Sequence, residues 1–201
     1  MNLSLKQYRW IDVGLLTAML AAAEAVITVA ARVWFPSEAY VLSPLAAILC
    51  IVMMRWGTYA AVPAIGGGLA MCLASGASAR QIAVYCIGNC FGLIALLLFR
   101  KQDKETVRLK PMLTLLFTVT TFCGIQIGRW LVGMVLGGSL GDLVTLFTTD
   151  SLSLLFAAIT LQLARRIDGL FEDQVSYLIR TQKERQKSQI PDYGDTEYGD
   201  M

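Results

Sequence analysis

Among the ionisable residues inside or beside the apolar stretches of this 201-residue chain, four are considered as candidate sites: Glu24, Arg129, Asp142 and Asp150. An ionisable side chain inside a membrane span costs about 2.5 to 3.5 kcal/mol on insertion scales, so each position is a candidate functional site. A guanidinium group binds anionic or carbonyl groups, whereas a buried carboxylate can hold a proton, a cation or a substrate amine. These residues could therefore bind a polar solute.

Arg129 is the most informative of the four. It is preceded by two glycines and Gln126 and followed by Trp130, so a planar cation with five donors lies beside an amphipathic ring. The glycines permit close approach of a ligand or of another helix, and the combination suits a flat or anionic solute. An internal ion pair with Asp150 or Asp142 would neutralise Arg129 without any ligand, and the two interpretations are compatible.

Other polar and aromatic positions each have a binding and a structural interpretation. Glu24, near the centre of the first apolar stretch, can be a proton, cation or amine site, or a hydrogen-bonded contact between helices. Tyr85 and Asn89 share one helix face, where the amide of Asn89 can meet a ligand or join two helices. Trp34 follows the first apolar stretch and can anchor the membrane interface or cover a pocket.

The usual residues of enzyme active sites are missing. The chain has no histidine, the commonest general base and metal ligand, and its five cysteines lie in apolar stretches as reduced packing residues. It has no phosphate-binding loop, no dinucleotide fingerprint and no Gly-x-Ser-x-Gly motif. We therefore expect no enzymatic activity, no cofactor and no metal site.

The composition is typical of an integral membrane protein. Hydrophobic residues make up 56% of the chain and charged residues 16%, against about 25% charged residues in a soluble domain. Apolar stretches cover about residues 11–33, 41–54, 58–73, 82–99, 112–136 and 146–163, which predicts an all-α bundle of six transmembrane helices. The second and third stretches joined would reach roughly 50 Å across a core of about 30 Å, so the chain must break at Arg55-Trp56-Gly57. Both stretches are short, and a re-entrant hairpin is the alternative to two full spans.

Lysine and arginine set the expected orientation, since they resist translocation. With the N-terminus inside, fourteen of the seventeen Lys and Arg residues fall on the cytoplasmic side, which predicts a multi-pass cell membrane protein with both termini cytoplasmic. The predicted parts are a cytoplasmic N-terminus (1–10), a six-helix transmembrane domain (11–163), an amphipathic cytoplasmic helix (164–187) and a disordered acidic tail (188–201). The amphipathic helix would lie on the inner membrane surface or on a cytoplasmic partner.

The first apolar stretch carries a smooth face, because Ala18 and Ala22 stack one helical turn apart. Together with the short spans and the missing catalytic set, this face resembles the S component of an energy-coupling factor (ECF) vitamin transporter. Ala18-Met-Leu-Ala-Ala22 is similar to that family's Ala-x-x-x-Ala docking motif. Leu42-Ser-Pro-Leu-Ala-Ala47 and Arg55-Trp-Gly-Thr-Tyr-Ala-Ala61 are similar to its second-span entry and its turn into the third span.

The resemblance implies a subunit that binds a small vitamin-like solute at the outer side and delivers it inward. It would work with a T component and two cytoplasmic ATPases, with Ala18 and Ala22 docking on the T component. No nucleic acid is implied, and the vitamin stays open. The family's substrate region maps onto Tyr85, Asn89, Gln126, Arg129, Trp130, Asp142 and Asp150, with Trp34 as a further stacking ring.

A non-catalytic membrane scaffold or assembly subunit is the alternative. It would use the small-residue face and the tail equally well but would need no pocket at Arg129. An outward-facing cavity lined by Arg129 and Asn89 would favour transport, whereas a solid bundle would favour the scaffold.

Overall fold

A computed structural model describes residues 4–36 and 42–189, and this part of the chain is helical with no strand. The helices are α1 (Leu5–Trp34), α2 (Leu45–Trp56), α3 (Ala61–Ser75), α4 (Ala79–Asn89), α5 (Lys104–Leu109), α6 (Pro111–Val135), α7 (Asp142–Thr149), α8 (Ser151–Ala164) and α9 (Gln174–Gln189). Short 3₁₀ helices connect α2 to α3 at Gly57–Ala60 and extend α4 from Cys90 to Arg100. The all-helical fold class is confirmed.

Helix α2 forms the centre of the bundle. Each of its residues except Ile48 is buried, and the surrounding helices pack against it on all sides. Its sequence, LAAILCIVMMRW, is apolar around the whole circumference until Arg55, as expected of a helix with no solvent or lipid face. This central position explains why α2 is apolar on every face up to Arg55.

The chain reverses direction between α2 and α3, where Gly57 adopts a φ of 63°. Next to α1, helix α2 runs from Ser43, bonded to Glu24, down to Arg55, bonded to Asp12. Helix α3 runs the opposite way and ends where Arg32 donates to the carbonyl of Ala74. The predicted break at Arg55-Trp56-Gly57 is therefore present, and it makes a helical hairpin along α1.

By length and composition, four continuous helical stretches could cross a membrane: Leu5–Trp34, Leu45–Ser75, Ala79–Arg100 and Pro111–Val135. Leu45–Ser75 reaches this length only when both arms of the α2–α3 hairpin are counted together. A fifth is available if α7 and α8, which meet at a 45° bend, count as one. Their outward faces expose large apolar side chains such as Val26, Val33 and Leu155, as lipid contact requires. The fold is compatible with a multi-pass membrane protein.

The segment after α8 departs from the predicted amphipathic helix at 164–187. Helix α8 ends at Ala164, residues 165–173 form turns, and Gly169 has a φ of 73°. The side chain of Phe171 is fully buried at the Arg55 end of the bundle, and Arg55 donates to the Gly169 carbonyl at 2.6 Å. Core packing of Phe171 and the hydrogen bonds to the backbone therefore stabilise turns here, although the apolar residues have helical spacing. Helix α9 begins only at Gln174.

The same segment is held by ion pairs. Glu172 accepts from Arg108, and Asp173 lies 2.5 Å from Lys104, so that helix α5 and the chain after α8 are joined. Gln174 reaches Tyr8 of α1 at 3.4 Å. The prediction of a disordered tail at 188–201 falls almost wholly outside the described residues.

Candidate functional site

Seven buried polar side chains meet at the end of the bundle opposite Arg55. They come from α1, the entry of α2, α4, α6 and the start of α8, and we call them the Arg129 cluster: Glu24, Ser43, Asn89, Gln126, Arg129, Asp150 and Ser153. Each has an exposed fraction of 6% or less. Burying so many polar groups in an apolar bundle is costly unless they are hydrogen-bonded to one another.

Arg129 and Asp150 form the charged centre of the cluster. The Nη1 atom of Arg129 lies 2.7 Å from Oδ2 of Asp150, and both side chains are buried. Gln126 donates to the same carboxylate oxygen at 2.6 Å. Of the two internal ion pairs open to Arg129 in the sequence, the pair with Asp150 is the one formed.

Asn89 and Tyr85 complete the surroundings of the guanidinium group. Arg129 Nε donates to Oδ1 of Asn89 at 2.8 Å, and the Asn89 amide donates to the carbonyl of Ala64 at 3.1 Å. The guanidinium carbon lies 4.6 Å from the centre of the Tyr85 ring, a cation–π distance. Asn89 therefore joins three helices, α3, α4 and α6, as a structural contact.

A second line of hydrogen bonds connects Asp150 to Glu24. The Ser153 hydroxyl donates to Asp150 at 2.8 Å and accepts from the backbone N–H of Ser43 at 2.8 Å. The Ser43 hydroxyl donates to Glu24. The two carboxyl groups are thus linked through two serines across α1, the entry of α2 and the start of α8.

Glycines set the position of Arg129 and Asn89. Gly88 and Gly92 lie on one side of a close crossing, and Gly124 and Gly128 of α6 on the other. A Cβ atom on Gly88 would lie 2.6 Å from the Cα of Arg129, and one on Gly124 would lie 2.7 Å from the Phe91 carbonyl oxygen. The glycines predicted to permit close approach beside Arg129 therefore admit a helix.

A small cavity adjoins the cluster. It measures about 20 Å³, which is room for about one water molecule. Its lining residues are Ser43, Met71, Tyr85, Arg129, Leu146, Thr149 and Asp150. Helix α7, which supplies Leu146 and Thr149, has no buried residue of its own.

The remaining predicted site residues lie elsewhere. Trp130 is half-buried, its Nε1 atom has no hydrogen-bond partner among the described residues, and it does not line the cavity. Asp142 is exposed and accepts from the backbone and hydroxyl of Ser139 at the start of α7. Trp34 is 73% exposed at the end of α1.

Sequence reasoning missed the two serines that connect the carboxyl groups. Ser43 precedes Pro44 at the entry of α2, and Ser153 stands three residues after Asp150. The spacing of Asp150 and Ser153 was a usable signal, because residues three apart share a helix face. Among the described residues, no group of three or more His, Cys, Asp or Glu side chains is arranged to hold a metal ion.

Comparison with protein-family models, with characterised proteins and with solved structures finds no match for this chain. Its function is therefore inferred from the geometry of the bundle and of the Arg129 cluster.

Proposed function

We propose that this chain is the substrate-capturing S component of an ECF-type ABC importer, which binds a small vitamin-like solute at the Arg129 cluster. The observation that carries the proposal is a buried, ionisable cluster at one end of an apolar helical bundle, next to a cavity. Ionisable groups inside a membrane bundle are costly, and each is a candidate solute or ion site.

The cavity requires a moving part if it is to hold a vitamin. Pockets for small molecules measure about 300 to 1,000 Å³, far above the 20 Å³ beside Arg129. Helix α7 is the element suited to move, because it has no buried residue and meets α8 at a 45° bend next to Asp150. Displacement of α7 would enlarge the cavity while the ion pair between α6 and Asp150 stays in place.

The orientation follows from the positively charged flanks. Six crossings with both termini in the cytoplasm place the Arg129 cluster toward the outside and the Arg55 end toward the cytoplasm. In this proposal the two arms of the α2–α3 hairpin are separate crossings, and the bent pair α7 and α8 is the last. In this orientation the solute enters from outside beneath α7.

Helix α1 supplies the docking face for a T component. Ala18 and Ala22 are exposed, one turn apart, on the side of α1 that faces away from the bundle. A small-residue face lets a partner helix approach its backbone closely, which is how helices associate in lipid. Two cytoplasmic ATPases would complete the importer, and this chain would act without catalysing a reaction.

Uptake of labelled vitamins tests this proposal. Cells expressing this chain with the T component and ATPases of its own genome should accumulate one vitamin, and cells lacking this chain should not. Failure to accumulate or bind any vitamin of the panel, with the protein folded in the membrane, would contradict it.

A membrane scaffold is the second candidate, and two observations favour it. The charge of Arg129 is already neutralised by Asp150, and the adjoining cavity holds about one water. A scaffold would keep its cluster closed in the presence of every solute. The uptake experiment separates the two functions, since a scaffold accumulates nothing.

A further inference from the structure

The positive and negative charges of the Arg129 cluster are unequal in number if all of its ionisable groups are charged. One guanidinium group, Arg129, lies among two carboxyl groups, Asp150 and Glu24. Arg129 is paired with Asp150 at 2.7 Å. If both carboxyl groups are ionised, the cluster carries one uncompensated negative charge in the apolar interior.

Glu24 is the group left without a cation. Its side chain is 2% exposed, and its hydrogen-bond donors among the described residues are both neutral: the Ser43 hydroxyl and the backbone N–H of Leu45. The charged groups that face it are Arg129 of α6 and Asp150 at the start of α8, which largely cancel each other. Helix α3 contains no charged residue, and the one in α2, Arg55, lies at the other end of the bundle.

An isolated carboxylate is not stable in such a place. Burying an ionised carboxylate without a partner costs far more than keeping the group neutral, so a buried acid takes up a proton or binds a cation. The hydrogen-bond line from Glu24 through Ser43 reaches the cavity, because Ser43 is one of the residues that line it. A proton or a cationic group entering the cavity is therefore one residue away from Glu24.

We propose that Glu24 binds an exchangeable proton, and that a solute in the adjoining cavity replaces this proton with a positive charge of its own. The exchange balances: the neutral acid releases one proton to water, and the cationic group of the solute, on the other side of Ser43, compensates the charge of the carboxylate formed. This inference rests on the proposed function for the solute, but the proton site does not. The exchange requires a solute with a cationic group, whereas the sequence favours an anionic or carbonyl group as the partner of Arg129.

Infrared spectroscopy of the purified protein tests the proton site directly. A protonated carboxyl group in an apolar site gives a C=O stretching band that an ionised carboxylate lacks. We expect such a band at neutral pH, its disappearance in Glu24→Gln, and its decrease as the pH is raised. Glu105→Gln, at a side chain that is 55% exposed, is the matched control and should keep the band.

Methylammonium tests the exchange. Added at constant pH, it should lower the Glu24-dependent band, whereas sodium at the same ionic strength should not. A band that persists in Glu24→Gln, or no band at all, overturns the proton site, and a band unaffected by methylammonium overturns the exchange. Because the band needs no vitamin and no T component, these results leave the solute-capture proposal standing, and failed vitamin uptake leaves the proton site standing.

Discussion

Gly88 of helix α4 faces the backbone of Arg129 on helix α6, and a Cβ atom added to Gly88 would lie 2.6 Å from the Arg129 Cα. The two helices can approach this closely because both sides of the crossing carry glycine. The crossing holds Asn89, the neighbour of Gly88, against the guanidinium group at 2.8 Å. The position of the cluster therefore depends on a residue with no side chain.

Gly88→Ala should force α4 and α6 apart. Overpacking of this kind costs about 1 to 3 kcal/mol, so we expect a lower melting temperature in detergent, followed by tryptophan fluorescence. Gly133→Ala is the matched control on α6, since a Cβ there meets nothing within 4 Å. Equal stability of Gly88→Ala and Gly133→Ala would show that the crossing tolerates bulk.

Asp150→Asn should destabilise the protein, because it leaves the buried charge of Arg129 uncompensated. Breaking one half of a buried ion pair costs about 3 to 5 kcal/mol. The double variant Arg129→Gln with Asp150→Asn should recover part of this loss, since neither charge is left alone. Asp142→Asn, at an exposed carboxylate bonded to Ser139, serves as the control. A double variant as unstable as the sum of both single changes would contradict the pairing.

Much of this cluster follows from sequence, and the rest depends on tertiary contacts. Because charge in lipid is costly, the sequence alone indicates Arg129 and Asp150 as candidate site residues. It also limits the ion-pair partner of Arg129 to Asp150 or Asp142. The need for a break after α2 follows from helix length, and its position follows from Arg55-Trp56-Gly57. The link through Ser43 and Ser153 spans 110 residues of sequence, so no local pattern indicates it.

In the C-terminal segment, too, tertiary contacts decide the structure and the sequence pattern does not. The spacing of Ile167, Leu170 and Phe171 is helical, yet these residues lie in turns because Phe171 enters the core and Arg55 binds the backbone at Gly169. A helical period describes which residues can share a face. It does not show whether burial of one ring, here that of Phe171, stabilises the fold more than a continued helix would.

Acidification should loosen this segment only at low pH. Burial acts to raise the pKa of Asp173, but the hydrogen bond and charge of Lys104, with bonds from Ser176, outweigh burial and hold the pKa below its usual value. A lowered pKa means that the contact stabilises fully above the unfolded value of about 3.9 and is lost as the pH falls through the folded one.

The anisotropy of a fluorophore attached to helix α9 measures this loosening. It should stay constant from pH 7 to about pH 4 and fall below that. Asp173→Asn should already show lower anisotropy at neutral pH and lack this acid-dependent step. A fall between pH 7 and pH 5 in the unaltered protein would contradict the role of Asp173.

Ala18→Leu or Ala22→Leu should abolish uptake while leaving the fold and solute binding nearly intact. Both residues are exposed on α1, so the added bulk meets a partner helix and not the bundle. Val33→Leu is the control, because Val33 is 69% exposed and lies about three helical turns beyond Ala22, at the other end of α1. Unfolding in either alanine variant, or normal uptake, would mean that this face docks no T component.

Native mass spectrometry of the protein purified from cells grown in rich medium tests most directly whether a solute binds beneath α7. We expect a small molecule to co-purify with the unaltered protein and with Val144→Trp, since Val144 is 66% exposed on α7. Leu146→Trp, which places an indole ring in the cavity next to Arg129, should remove that molecule. No bound solute in any variant, or one retained by Leu146→Trp, would contradict solute capture at the Arg129 cluster.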